Sequence, residues 1–320
     1  MNPIKLGLID LGYREINAVN AIEEIIEYAV EAERLGFSKF WLAEHHYYHI
    51  KNHPYTTPDI LISLIAGMTE TIKIGSAGTC VSVHSPYTVV TNYKFLNNLF
   101  YGRISLGLSK GFPDSSAINQ MLNKELKLGN SISFFKQNLN TIIDLLDNEE
   151  ENLNTKSILI PPYGGLRPDL WYLSTSFTNF QEAIDFKLNY CVSIFHNFGQ
   201  DINNLNIKKE EIMLLKESFY KQHGYYPEVA ISLAIILKDT LEEAENQYNV
   251  SMEYVLKEAK EPFYIIPTTL ELLHERLEKY QNDFGIDEFI IYDLSSTNEE
   301  KIKNIQLIGE RFNLSVEATV

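Results

Sequence analysis

The chain has 320 residues, 45% of them hydrophobic, and 27 basic against 43 acidic side chains, a formal charge of −16. That balance argues against a nucleic-acid partner, which would need a basic face. No apolar run approaches the ~20 residues of a membrane span, and MNPIKLGLID lacks the basic start and long apolar core of a signal peptide. The two cysteines, Cys80 and Cys191, sit in apolar runs and read as reduced thiols. A soluble, cytoplasmic protein is expected.

Strand and helix patterns alternate along the chain. Lys5–Asp10 (KLGLID) reads as a strand. A helix follows, capped by Asn20 and Glu23, with Ile22, Ile25, Ile26, Ala29 and Ala32 at helical spacing and Gly36 at its end. Phe40–His45 (FWLAEH) is a second strand. Thr57-Pro58-Asp59 starts the next helix, with proline at the first position. Ile72–Val83 is a third strand, Ser85-Pro86 another helix start, and Ile104–Leu108 a fourth strand.

Ser131–Leu146 reads as a helix, Asp147–Asn154 as an acidic surface turn, and Pro161–Pro168 as a loop. Leu170–Ser174 is a fifth strand, Phe177–Leu188 a helix, and Tyr190–Phe195 a sixth strand. Helices over Lys208–His223, Thr240–Glu258, Thr268–Phe284 and Asn298–Phe312 alternate with strands at Val229–Leu237 and Glu288–Tyr292. Eight apolar strands, each followed by a helix, predict one (β/α)₈ TIM-barrel domain spanning the chain. A doubly wound sheet would carry a Gly-rich turn after strand one, where this chain has Asp10-Leu11-Gly12-Tyr13-Arg14.

Barrel chemistry sits at the C-terminal ends of strands. Polar residues are stationed there: Asp10, Glu44-His45-His46, Ser109-Lys110-Gly111 and Ser174-Thr175-Ser176, while the opposite ends look blander. Four of the eight histidines lie at 45, 46, 49 and 53. Neighbours on a strand point to opposite faces, so His45 and His46 do not share an ion, and no metal site is predicted. Acid/base work suits these imidazoles, with strand-end capping as the plainer reading. Gly75, Ala77 and Gly78 inside a strand mark either close packing or the flat approach of a ligand ring. Lys110 is either a phosphate anchor or a solvated lysine. The hydroxyls of Ser174, Thr175 and Ser176 before a helix offer caps or an anion seat. Tyr13, Tyr47, Phe112, Phe195 and Phe198 are candidates for an apolar pocket.

Three segments in this order, LGFSKFWLAEHH, IKIGSAGTCVSVHSPYTVV and NNLFYGRISLGLSKG, resemble the luciferase-like monooxygenase family. The resemblance covers most of the chain and is densest from Leu35 to Gly111. It implies FMN at the strand ends, reduced FMN delivered by a separate reductase, and oxygen transfer from O₂ to a small organic substrate. By position it makes His45 the catalytic histidine and Glu44 a residue lining the flavin. It makes Ala77-Gly78 a non-proline cis peptide beneath the ring, and Lys110, Ser174, Thr175 and Ser176 phosphate ligands. It also implies a homodimer built on helices near strands two and three. Two departures stand out. Ser109 replaces the reactive cysteine of luciferases proper, and no arginine occurs between Arg103 and Arg167. Both imply a flavin bound transiently, as a cosubstrate, without light emission. A deazaflavin-dependent hydride-transfer reductase and a non-catalytic flavin-binding relative are the alternatives.

Overall fold

The computed structural model describes residues 3–47, 49–196, 205, 207–258 and 264–315. In chain order the elements are β1 (Lys5–Asp10), α1 (Ala18–Arg34), β2 (Lys39–Leu42), α2 (Asp59–Met68), β3 (Lys73–Cys80), α3 (Pro86–Leu99) and β4 (Ile104–Ser109). There follow α4 (Ser116–Leu122), α5 (Ser131–Asp147), α6 (Glu149–Lys156), β5 (Asp169–Ser174), α7 (Gln181–Asp185) and β6 (Asn189–Ser193). The chain closes with α8 (Lys209–His223), β7 (Val229–Leu237), α9 (Leu241–Glu258), β8 (Ile265–Thr268), α10 (Leu270–Phe284), β9 (Glu288–Asp293) and α11 (Asn298–Arg311).

The strands run in the order β6-β5-β4-β3-β2-β1-β9-β7-β8, and β6 also pairs with β7. That order closes an eight-strand parallel ring, the predicted (β/α)₈ barrel, with β8 as a ninth strand outside the count. The chain divides into two compact units. One holds Met1–Asp10, Glu27–Phe40 and Ser174–Val320; the other holds Leu11–Ile26 and Trp41–Leu173.

In the first unit, β7 is buried at all nine positions. Its Ala230–Ile235 stretch pairs with β9 along one edge. The other edge is shared: residues 229–232 pair with β6 and residues 234–237 with β8. Lys39 opens β2, its side chain almost wholly buried. It donates to Glu288 at 2.6 Å and to Glu228 at 2.7 Å. Burial opposes its charge, but the two carboxylates prevail and raise its pKa. The N-terminal strand ends are therefore not the bland rim the sequence suggested.

In the second unit, β3 and β4 pair in parallel with a register break between Ser76 and Thr79, and β4 pairs with β5. Backbones approach closely here. A Cβ on Gly107 would lie 2.1 Å from the Ser76 carbonyl oxygen, and one on Gly75 would lie 2.6 Å from that of Ser105. These glycines are needed for strand packing.

Several local expectations shift. The first helix starts earlier, at Ala18, because Asn17, not Asn20, caps it: its Oδ1 accepts from Asn20 N at 3.0 Å. Ser85 caps α3 as expected, ahead of Pro86. The acidic stretch read as a turn is α6. Glu149, Glu150 and Glu151 occupy its first turn, where negative charge meets the positive end of the helix dipole. Short β8, which contains Pro267, escaped the sequence pattern, and the helix placed over Phe177–Leu188 is only the five-residue α7. Among the described residues no helix is long and apolar enough to cross a membrane.

Candidate active site

In the second unit β2 ends at Leu42, so Glu44-His45-His46 leave the sheet as an extended loop. Alternation along that loop puts Glu44 and His46 on one side, and their side chains meet. His46 Nε2 lies 2.7 Å from Glu44 Oε1. A second histidine reaches the same oxygen: His84 Nε2 is also at 2.7 Å. The other oxygen, Oε2, accepts from the Cys80 backbone N–H at 2.9 Å. The Glu44 side chain is 1% exposed, His46 7% and His84 21%.

Burial resists ionisation of Glu44. The hydrogen bonds from His46 and His84, the His84 charge and the Cys80 amide outweigh it and hold the carboxyl down at about 2. Burial likewise opposes protonation of His84, but the hydrogen bond and charge of Glu44, with the charge of Asp59, raise its pKa. The Cys80 thiol is pushed well up by burial and by Glu44, so it stays protonated and unreactive.

His84 was not among the predicted site residues. Its position comes from a turn the sequence did not show. The predicted strand ran to Val83, but β3 stops at Cys80 and Val83 N bonds back to Cys80 O at 3.0 Å. Asn138 on α5 holds the turn, donating to Val81 O at 2.8 Å and to His84 O at 3.3 Å. The signal available was the i, i+2 spacing of Glu44 and His46, which leaves one carboxylate for more than one imidazole.

His45 points elsewhere. Its ring stacks on Tyr47, centroids 4.8 Å apart and planes 13° apart, and its backbone N–H donates to Thr56 O at 3.1 Å. Tyr47 also meets His49 and His53 edge-on. Burial and the charge of Asp114 push the Tyr47 hydroxyl up to about 12. Three of the four clustered histidines thus surround one tyrosine.

The Ala77-Gly78 peptide is cis, as the resemblance implied. Hydroxyls fill the register break beside it. Gly107 N donates to Ser76 Oγ at 3.2 Å, Thr79 Oγ1 to Ser76 Oγ at 3.1 Å, and the buried Tyr93 hydroxyl to Asp59 at 2.9 Å. Gly78 is a packing glycine as well, since a Cβ there would meet Leu173 at 2.4 Å.

Lys110 follows β4, whose Ser109 pairs with Cys80. Its ammonium lies 5.1 Å from the Tyr172 ring centre and 5.4 Å from that of Phe135. The residue is exposed, and among the described residues it forms no ion pair with a carboxylate. Ring faces position it and leave its three N–H donors for an anion. Phe112 packs beside Cys80, Val83 and Leu126. Within this unit the ends of β2, β3, β4 and β5 thus bring together Glu44, Cys80, Lys110 and Tyr172.

Ser174, Thr175 and Ser176 belong to the other unit, whose last segment begins at Ser174. Ser176 N donates to Ser174 Oγ at 3.3 Å, and Tyr190 donates to Ser176 O at 2.9 Å. The helix expected at Phe177 begins only at Gln181, so these hydroxyls do not sit at a helix N-terminus. Phe195 is buried in this unit; Phe198 lies outside the described residues.

A family description, luciferase-like monooxygenase, matches residues 8–130. Over that stretch the chain is similar to the luciferase-like family. YwcH, an uncharacterized protein of Bacillus subtilis (strain 168), is 26% identical over 92% of this chain and 95% of its own length. The N-acetyl-S-alkylcysteine monooxygenase of the same organism is 23% identical over 96% and 98%. Among solved structures, apo-MsnO8 superposes with a TM-score of 0.77 at 20% identity, over 98% of this chain and 99% of that one. The oxygenating constituent of 3,6-diketocamphane monooxygenase, solved with FMN, gives 0.68 at 15% over 97% and 98%. An F420-dependent secondary alcohol dehydrogenase gives 0.69 at 14% over 99% and 100%. At these identities the structural likeness speaks to fold.

Proposed function

We propose that this protein is a flavin-dependent monooxygenase that takes reduced FMN from a separate reductase and transfers oxygen from O₂ to a small organic substrate. One observation carries the reading: Lys110, a cation with no ion pair among the described residues, stands at the end of β4, one strand from the Ala77-Gly78 backbone and from the Glu44-anchored end of β3. A phosphate at Lys110 and a planar ring along β3 suit that arrangement. Reduced flavin, when bound, supplies the electrons that activate O₂.

The protein's own groups then have distinct tasks. Lys110 binds the phosphate as a point charge, without the bidentate grip of an arginine, in keeping with a flavin that comes and goes. His45, stacked on Tyr47, is the acid/base group. Glu44 is a positioning residue, since both its oxygens are engaged internally and neither is left to line a ring. The assignment of Ser174, Thr175 and Ser176 to the same phosphate rests on the resemblance.

We place the enzyme in the cytoplasm, in keeping with two free, buried thiols, and as a homodimer. Ile60, Leu64 and Met68 are exposed at i, i+4 and i+8 on α2, and Phe95 and Leu99 are exposed on α3. The two helices are tied by Asp59, which accepts from Asn92 and Tyr93. This apolar surface on adjoining helices is what a second copy would cover.

The test is O₂ consumption with photoreduced FMN across a panel of small organic substrates, sulfur compounds included. Coupled, substrate-dependent oxygenation that slows at least about 100-fold in His45→Ala supports the reading. A variant as fast as the parent removes His45 from the chemistry. Hydride transfer from reduced deazaflavin without O₂ uptake replaces the reading altogether.

A further inference from the structure

We propose that Glu44, His46 and His84 form a binding site for one zinc-class divalent cation, a first-row ion that accepts imidazole ligands. The sequence argued against a metal because His45 and His46 diverge. The structure avoids that objection by skipping a residue, from Glu44 to His46, and drawing the third donor from the turn after β3. One ligand atom from each of the three residues lies within 4.8 Å of the others, and Nε2 of each histidine is 2.7 Å from Oε1 of Glu44.

The donor set selects the ion. Two imidazole nitrogens and one carboxylate oxygen suit zinc, iron, cobalt or nickel, and disfavour magnesium and calcium, which take oxygen ligands. Three protein ligands are the complement of a site with an open position. The geometry is nearly assembled. Bonds of about 2.0–2.1 Å in a tetrahedral arrangement put neighbouring donors about 3.3 Å apart. Each imidazole is now 2.7 Å from the carboxylate oxygen, so it must retreat by roughly half an ångström, within the reach of side-chain rotation.

Surrounding groups already orient the ligands. The Cys80 amide holds Oε2 of Glu44 and turns Oε1 toward the two rings. Asn138 fixes the turn that carries His84. The set is closed at Glu44 and opens toward solvent at His84, the most exposed of the three. Without metal, imidazole N–H groups occupy the place an ion would take.

The experiment needs no flavin, so its failure would leave the monooxygenase reading intact. Full-length protein stripped with chelator is titrated at pH 7.5 with Co²⁺, followed by its visible bands, and with Zn²⁺ by calorimetry. One tetrahedral or five-coordinate ion per chain is expected, unaffected by excess Mg²⁺, with affinity reduced about 100-fold in each of Glu44→Gln, His46→Asn and His84→Asn. X-ray absorption on the zinc-loaded parent, which does not depend on any variant folding, should show two imidazoles and oxygen in the first shell. No saturable binding overturns the proposal. So does binding that persists unchanged in all three variants, or a first shell with fewer than two imidazoles.

Discussion

Replacing Glu44 by Gln keeps the shape of the side chain and removes the charge on which three donors converge. In the folded protein the carboxyl is held at about 2 instead of the ordinary 4.5. At about 1.4 kcal/mol per pH unit, that depression contributes about 3 kcal/mol to stability. Its sign follows from which state binds the proton more tightly. The unfolded chain takes up a proton first, so the contribution is complete above pH 4.5 and is lost as pH falls toward 2. His84 is raised, so its share is complete below its unfolded pKa and fades as pH rises through the folded value. Glu44→Gln, studied with chelator present, should therefore cost about 3 kcal/mol between roughly pH 5 and 6, a Tm loss of about 5 °C for a chain of this size. The gap between parent and variant should shrink by about half at pH 3. Calorimetry or chemical denaturation across pH 3–8 reads this directly. A gap that stays constant from pH 3 to 6, or no gap, would refute the claim that the buried carboxylate is held ionised by its neighbours.

Lys110→Met should weaken FMN binding by about 10- to 100-fold and leave riboflavin binding unchanged, because a charged hydrogen bond to phosphate is worth about 1.5–3 kcal/mol; equal losses for both ligands would remove Lys110 from the phosphate. Gly107→Ala places a Cβ against the Ser76 carbonyl and should lower Tm by at least about 5 °C or prevent folding. Gly129→Ala, with open space around it, should change Tm by little. Leu64→Glu on α2 should turn a dimer into a monomer in sedimentation velocity, with its far-UV spectrum retained; a parent that sediments as a monomer contradicts the dimer outright.

Much of the barrel was legible because buried parallel strands carry an uninterrupted apolar signal, as VAISLAIIL and EFIIYD do. The Ala77-Gly78 cis bond came from resemblance, and spacing alone would not have shown it. Other features depend on contacts that spacing does not encode. β8 is four residues with a proline, too short to stand out from the helix cap at Thr269. Lys39 meets Glu288 across nearly the whole chain, so its buried ion pairs could not be read from neighbours. His84 joined the Glu44 cluster only because the chain turns at Cys80. The hydroxyls at Ser174–Ser176 looked like a helix cap, yet the helix waits until Gln181. The strands were thus legible from their pattern, but the ends of β2 and β3 and the partners that side chains find there were not.

The most direct test of the flavin assignment is an anaerobic optical titration with photoreduced FMN beside one with oxidised FMN. Saturable binding of one reduced FMN per chain, tighter than oxidised FMN and weakened in Lys110→Met, is the predicted result. Failure to bind reduced FMN at concentrations where reduced deazaflavin saturates the protein would contradict it.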